Sequence, residues 1–302
     1  MAHQHTHATE DQGTLRLVLS IGLNLLITAA EFVAGIMAGS LALIADAAHN
    51  LNDAASLGIS LGARKASQRA ADQRRTFGYE RAKVIGAFIN LITLVLIALY
   101  LLKEAVERYL DPRTVDGELM LIVASIALVA NVATALLLHR SSKGSLNIRS
   151  AFVHIVADAL ASVGVIIGGL LVMAYGWLWI DPLLTALISL YILVQSAGLL
   201  RRTVAILMES APPGFDYAGM VDAMESTEGV RDVHHVHVWQ IDEYHTAVEA
   251  HIVIEQRDLD AMERIKHALK RRLASDFDVE HATLEFEFEP CTGVERDVVP
   301  HV

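Results

Sequence analysis

The chain has 302 residues, 53% of them hydrophobic, and a mean hydropathy of +0.41, too apolar for an ordinary soluble domain and rich enough for several membrane spans. Its formal charge of −11, with acidic residues crowded into the last third, excludes a nucleic-acid-binding design and suits cationic partners better. A single cysteine, Cys291, excludes an internal disulfide framework and a Cys-rich zinc knuckle.

In chain order, residues 1–14 form a polar tail that carries His3, His5 and His7. The first apolar run is too long for the core of a cleavable signal and is expected to stay as a span. Runs near the ~20 residues needed to cross a bilayer fall at 15–37, 41–61, 84–102, 119–138, 151–174 and 183–200, which predicts a bundle of six transmembrane helices. Between the second and third spans lie Arg64, Lys65, Arg69, Arg74, Arg75, Arg81 and Lys83, a basic excess that marks this connection as cytoplasmic. With six spans, both termini are then cytoplasmic, in a multi-pass protein of the inner (plasma) membrane. Arg140, Lys143 and Arg149 after the fourth span, and Arg201 and Arg202 after the sixth, agree with that orientation.

Beyond Arg202 the composition turns soluble, and Pro212, Pro213 and Gly214 mark a break. The pattern predicts a helix over 215–226, strands over 233–241 and 246–254, an amphipathic helix over 259–273 and a strand over 283–288. That order suits a small split α+β sandwich with its helices on one sheet face.

The chemistry sits inside the spans. His49 and Asp53 stand four apart in the second span, and His154 and Asp158 repeat that spacing in the fifth, so each pair shares a helix face. One His-x-x-x-Asp is weak evidence, and His7 and Asp11 match it in the tail. Two of them within apolar spans are not weak, because an aspartate near the bilayer centre costs about 2.5–3.5 kcal/mol on insertion scales. A divalent cation compensates that cost: two carboxylates neutralise it, and two neutral imidazoles complete the four-coordinate tetrahedral shell that Zn²⁺ favours. All-oxygen octahedra for Mg²⁺, Ca²⁺ or Mn²⁺ and thiolate sets for Cu(I) are not seen on these faces. Emptying the site leaves two bare carboxylates in low dielectric, so protons are expected to replace the departing metal. Asp46, three residues before His49, suits either a supporting contact to the metal ligands or a proton acceptor. Asn24, Glu31, Asn90, Asn131 and Gln195 suit either an ion path or interhelical hydrogen bonds.

Gly-Ser-Leu-Ala-Leu-Ile-Ala-Asp-Ala-Ala-His at 39–49, Thr-Phe-Gly-Tyr at 76–79, Leu-Asn-Ile-Arg-Ser-Ala-Phe-Val-His at 146–154, Asp-Pro at 181–182 and Glu-Pro-Cys at 289–291 resemble the landmarks of the cation diffusion facilitators. The similarity runs from about residue 17 to 291, and the double His-x-x-x-Asp looks like the zinc-transporting branch, close to bacterial zinc-efflux members. The resemblance implies a homodimer, a ferredoxin-like cytoplasmic domain and proton antiport. It divides the chain into the tail 1–14, a transmembrane domain 15–205, a cytoplasmic metal-binding and dimerisation domain 206–291, and a second tail 292–302. It also implies a regulatory metal site of His234, His251, His281 and Glu287 at the dimer interface, and an ion pair between Arg81 and Glu209 that locks the spans together. A further site that some members carry around the Phe-Gly landmark is not expected, since Arg75 and Tyr79 stand at its places, and residues 141–147 lack the His-rich loop of many eukaryotic relatives.

Strand alternation on its own reads the soluble domain differently in one respect. Val248, Ala250, Ile252 and Ile254 give the second strand an apolar face and leave Glu249 and His251 on the other, and Phe286 and Phe288 oppose Glu285, Glu287 and Glu289. On the first strand, Val236 and Val238 facing the core put His235 and His237 on the open face, whereas the resemblance selects His234. The expected function is Zn²⁺ export in exchange for protons by alternating access, with Cd²⁺, Co²⁺ or Ni²⁺ as alternative cargoes. A membrane metal sensor that moves no ion is a second alternative. An intramembrane metal hydrolase is disfavoured: four ligands close the shell, no His-Glu-x-x-His occurs, and no Ser or Cys nucleophile stands beside them.

Overall fold

The computed structural model describes Gly22 and residues 25–67, 69, 71–139 and 146–289. His3, His5, His7, Cys291 and the segment 292–302 lie outside the described residues. Six helices come first: α1 (Leu25–Ala38), α2 (Leu41–Ser67), α3 (Arg81–Leu110), α4 (Gly117–His139), α5 (Leu146–Tyr175) and α6 (Ile180–Leu207). Then follow α7 (Tyr217–Glu225), β1 (Val230–Gln240), β2 (Thr246–Ile254), α8 (Leu259–Phe277) and β3 (Val279–Glu287). The chain contacts divide into two units, Met1–Leu61 with Ile89–Leu200, and Gly62–Phe88 with Arg201–Val302.

Among the described residues four helices are long and apolar enough to cross a membrane: Arg81–Leu110, Gly117–Leu136, Ile155–Tyr175 and Ile180–Leu207. The described part of α1 is apolar but shorter. Helix α2 has ample length, 27 residues, and the polarity of Asp46, His49, Asn50, Asn52 and Asp53 keeps it out of that set.

The first unit is apolar outside and polar inside. Leu26, Met37, Leu96, Leu136, Leu160 and Val194 are exposed, whereas Glu31, Ser40, Asp46, Asn50, Ser162 and Thr185 are buried. An aqueous solvent penalises that distribution and a hydrocarbon one rewards it. Helices α4 and α5 approach closely where Gly117 meets Gly169: a Cβ on Gly117 would stand 2.8 Å from the Gly169 carbonyl oxygen, so both positions need the missing side chain. The start of α2 is held from a distance. Asp181, fully buried on α6, accepts hydrogen bonds from the Ser40 hydroxyl (2.6 Å) and the backbone N–H groups of Leu41 (2.8 Å) and Ala42 (3.2 Å). It thus caps a helix to which it is not connected in sequence, and a cap of this kind contributes about 0.5–2 kcal/mol. Gly39, at φ 67°, makes the turn just before, and the Arg108 guanidinium donates to its carbonyl.

In the second unit the sheet order is β1-β2-β3, with β1 antiparallel and β3 parallel to β2. Met220 and Met224 of α7 and Ile265, Leu269 and Leu273 of α8 pack on Val233, Val236, Val248, Ala250, Ile252 and Ile254. Helix α7 is capped by Asp216, which accepts from Gly219 N–H at 2.9 Å, and α8 by Asp258. Helix α8 ends at Asp278 in the left-handed conformation, φ 56°, which turns the chain at once into β3. The third strand therefore starts at Val279, four residues earlier than the sequence pattern predicts, because Val279 itself enters the core. In the α2–α3 connection, Asp72 accepts from the N–H groups of Arg74 and Arg75 and from the Tyr79 hydroxyl at 2.7 Å. The Tyr79 bond, followed by the two backbone bonds, holds the Asp72 carboxyl below the usual carboxylate range.

Candidate metal centres

In the first unit, α2 places His49 and Asp53 on one face, one turn apart, and α5 brings Asp158 against them. His49 Nε2 stands 3.6 Å from Asp53 Oδ2 and 3.6 Å from Asp158 Oδ1. His49 and Asp158 are buried and Asp53 is half-buried. A distance of 3.6 Å is too long for a hydrogen bond. It is close to the ~3.3–3.4 Å that separates two ligand atoms held about 2.0–2.1 Å from a tetrahedral zinc. The two edges that run from the imidazole to the carboxylates of two helices therefore stand near the length a zinc coordination shell requires. His154 belongs to α5 one turn before Asp158, and its side chain lies outside the described residues. Tyr191 of α6 meets the His49 ring edge-on at 6.4 Å. Asp46 is buried on the same helix and shares the electrostatic field of His49, Asp158 and Glu31.

The second constellation lies on the sheet of the second unit. His234, His251 and Glu287 each present a ligand atom, and these atoms lie within 4.8 Å of one another. Glu287 divides its carboxylate between the two rings, Oε1 at 2.8 Å from His251 Nδ1 and Oε2 at 3.3 Å from His234 Nε2. Asp232 Oδ2 stands 3.2 Å from His234 Nδ1, so it fixes the ring and directs Nε2 inward, the supporting contact that metal-binding histidines need. Glu285 Oε2 stands 3.5 Å from His251 Nε2.

Both readings of β1 hold in part because the strand is bulged. His234 pairs with His251 and His237 with Glu249, so three steps along β1 match two along β2, and His235 takes φ 50°. The extra residue lets Val233 and Val236 enter the same core while His234 joins the ligand trio. His235 stacks on His251 with centroids 4.6 Å apart and meets His237 edge-on at 4.9 Å. The signal was present: apolar residues at 233, 236 and 238 break strict alternation. His281 stands elsewhere. It pairs with Ala247, four residues before the His251 pairing, and meets the Phe77 ring edge-on at 5.4 Å.

A third cluster has no counterpart in the sequence pattern. Glu80, Asp242 and His245 converge to within 4.8 Å, but Lys83 fills the place of a cation, at 2.5 Å from Glu80 Oε2 and 3.6 Å from Asp242 Oδ2. Asp242 accepts from the N–H groups of Tyr244 (2.8 Å) and His245 (2.9 Å), and His245 Nδ1 stands at 2.8 Å from the same oxygen. Burial raises the Asp242 carboxyl, and these bonds together with the His245 charge outweigh it and hold it below the ordinary range. Arg81 and Glu209 meet at 3.0 Å, both well exposed.

The model of the cation efflux transmembrane domain matches residues 17–208, and that of the cation efflux protein cytoplasmic domain matches 212–289. The zinc transporter ZitB of Escherichia coli strain K12 is 39% identical over 301 residues, covering 97% of this chain and 95% of that protein. The metal cation efflux system protein CzcD of Cupriavidus metallidurans is 35% identical over 289 residues, covering 96% and 90%. A cadmium, cobalt and zinc/H⁺-K⁺ antiporter of Bacillus velezensis is 32% identical over 293 residues, covering 95% and 92%.

Proposed function

The chain belongs to the cation efflux family, and on that premise we propose that it is a divalent-metal efflux transporter that carries Zn²⁺ out of the cytosol in exchange for protons. The observation that carries this assignment is the position of His49 Nε2, 3.6 Å from carboxylate oxygens on two helices inside the apolar unit. His49, Asp53 and Asp158 hold the ion, and His154, on the same turn pattern of α5, supplies the fourth ligand. A zinc ion needs the imidazole neutral and the carboxylates ionised, so its arrival expels protons and its departure recovers them. Alternating access then exchanges the two cations at one site. The relatives named for zinc, and one named for cadmium, cobalt and zinc, support this class of cargo, and a nitrogen-and-oxygen tetrahedron favours Zn²⁺ within it.

The assembly we infer has six spans, α1 to α6, with both termini cytoplasmic in the inner membrane. Residues 206–291 form its cytoplasmic, ferredoxin-like domain, and the family's dimerisation domain at 212–289 supports a homodimer. His234, His251 and Glu287 form a cytoplasmic zinc site whose occupancy reports metal load, and His281, seated against Phe77, is left out of it. Their donor set, two imidazoles and a carboxylate oriented by Asp232, fits zinc.

Zinc uptake into proteoliposomes with an imposed pH gradient tests the assignment, with a lumenal dye reporting protons. Native protein is expected to move zinc against a proton flux, while folded Asp53→Ala and Asp158→Ala variants are silent. Flux that survives loss of either aspartate removes this transport site. Native protein that binds zinc without moving it is a metal sensor instead. Competition with Cd²⁺, Co²⁺ and Ni²⁺ in the same vesicles ranks the cargoes.

A further inference from the structure

Glu31 of α1 is a carboxylate for which metal coordination gives no account. It is fully buried. Its Oε2 accepts a hydrogen bond from the Asn50 side-chain amide at 3.0 Å, and its Oε1 accepts none from any described residue. Asn50 is buried too and directly follows His49 on α2, so Glu31 is tied to the helix that carries two of the metal ligands.

The charged groups facing Glu31 are mostly acidic: Asp46 from α2, one turn before Asn50, and Asp158 from α5, with the titratable ring of His49 on the same α2 segment. Among the described residues no lysine or arginine forms an ion pair with it. Several kcal/mol is the effective cost of an unpaired ion removed from water, and neighbouring like charges raise it. An unpaired carboxylate in this place is therefore costly unless a cation stands nearby. A dication held by His49, Asp53 and Asp158 reverses the sign of the local field and makes the Glu31 anion tolerable.

We propose that Glu31, held by Asn50, is a proton-binding group of the exchange reaction that does not touch the metal. When Zn²⁺ enters the cage, the Glu31 carboxyl gives one proton to water and remains as the anion. When Zn²⁺ leaves, the anion takes one proton back. One H⁺ thus moves for each Zn²⁺ at this position, in addition to those displaced from the ligands themselves. Linkage makes the effect reciprocal, so protonation of Glu31 weakens zinc binding and helps to release the ion.

This inference rests on the transport site proposed above, and the test separates the two. Protons released per zinc bound are measured with a pH indicator in weakly buffered detergent solution, on the full chain carrying His251→Ala to quiet the cytoplasmic site. Glu31→Gln is expected to bind zinc, to release about one proton fewer per zinc, and to show a pH dependence of log Kd shallower by about one unit per pH unit. Asn50→Ala, which leaves the carboxyl in place without its donor, keeps the proton count and moves the pH at which it is lost. Unchanged proton release in Glu31→Gln overturns the proposal and leaves Glu31 a structural acid. Zinc binding that is indifferent to Asp158→Ala overturns the transport site itself. Should Glu31→Gln fail to fold, infrared difference spectra of the native chain decide the matter. A protonated-carboxyl band lost on zinc addition, and shifted in Glu31→Asp, supports the proposal, and a band that is absent or unmoved overturns it.

Discussion

The two candidate metal constellations are built from the same side-chain types and differ in how their ligand atoms meet. In the apolar unit, His49 Nε2 stands 3.6 Å from Asp53 Oδ2 and 3.6 Å from Asp158 Oδ1, beyond hydrogen-bond distance, and the three residues are carried by two long helices. On the sheet, Glu287 Oε1 is hydrogen-bonded to His251 Nδ1 at 2.8 Å, whereas Glu287 Oε2 and His234 Nε2 stand 3.3 Å apart without a hydrogen bond between them. The sheet trio gives up its His251–Glu287 hydrogen bond when it takes metal, which lowers its affinity. In the function proposed above, carriage is assigned to the first and sensing to the second.

The largest effect that sharpens this contrast is expected from His49→Ala. It removes the one nitrogen common to both short contacts, and zinc flux in proteoliposomes is expected to fall by about 100-fold or more. His251→Ala is expected to act differently: zinc affinity at the cytoplasmic site falls about 10–100-fold by equilibrium dialysis, whereas flux at saturating zinc stays within about threefold. A flux loss in His251→Ala as deep as in His49→Ala breaks the contrast, because the sheet site would then belong to the transport path.

Much of the intramembrane site was legible because helical spacing and the cost of buried charge act together. His49 with Asp53 and His154 with Asp158, each four apart in separate apolar runs, together have few uses other than binding a cation. What the pattern could not supply was the partner that crosses from α5 at 3.6 Å, or Asp181 reaching 140 residues back to cap α2. Such contacts depend on how helices cross, which local spacing does not encode. The sheet was less legible because a bulge at His235 moves every later side chain to the other face, and a non-glycine residue at φ 50° carries no compositional mark. The six apolar runs were plain, yet α2 is the least apolar of the long ones, since the residues proposed to bind the ion are those that spoil its hydropathy.

Two ion pairs in the second unit extend the contrast to smaller energies. Asp242 is almost fully buried beside Lys83 and accepts from two backbone N–H groups, so Asp242→Asn is expected to cost about 1–3 kcal/mol of unfolding stability at neutral pH. Because the folded carboxyl titrates below its unfolded value, that contribution is complete above the ordinary carboxylate range and disappears as the pH falls through the folded value. Thermal unfolding of the full chain in detergent should therefore show the variant and the native chain converging toward low pH. Arg81 and Glu209 are closer, at 3.0 Å, yet Glu209 is 62% exposed, and water and salt screen the pair. Glu209→Ala is expected to change stability by less than about 1 kcal/mol, with no remaining difference in high salt. A larger, salt-insensitive loss would mean that this contact, and not the buried Asp242 turn, holds the α2–α3 connection to the rest of its unit.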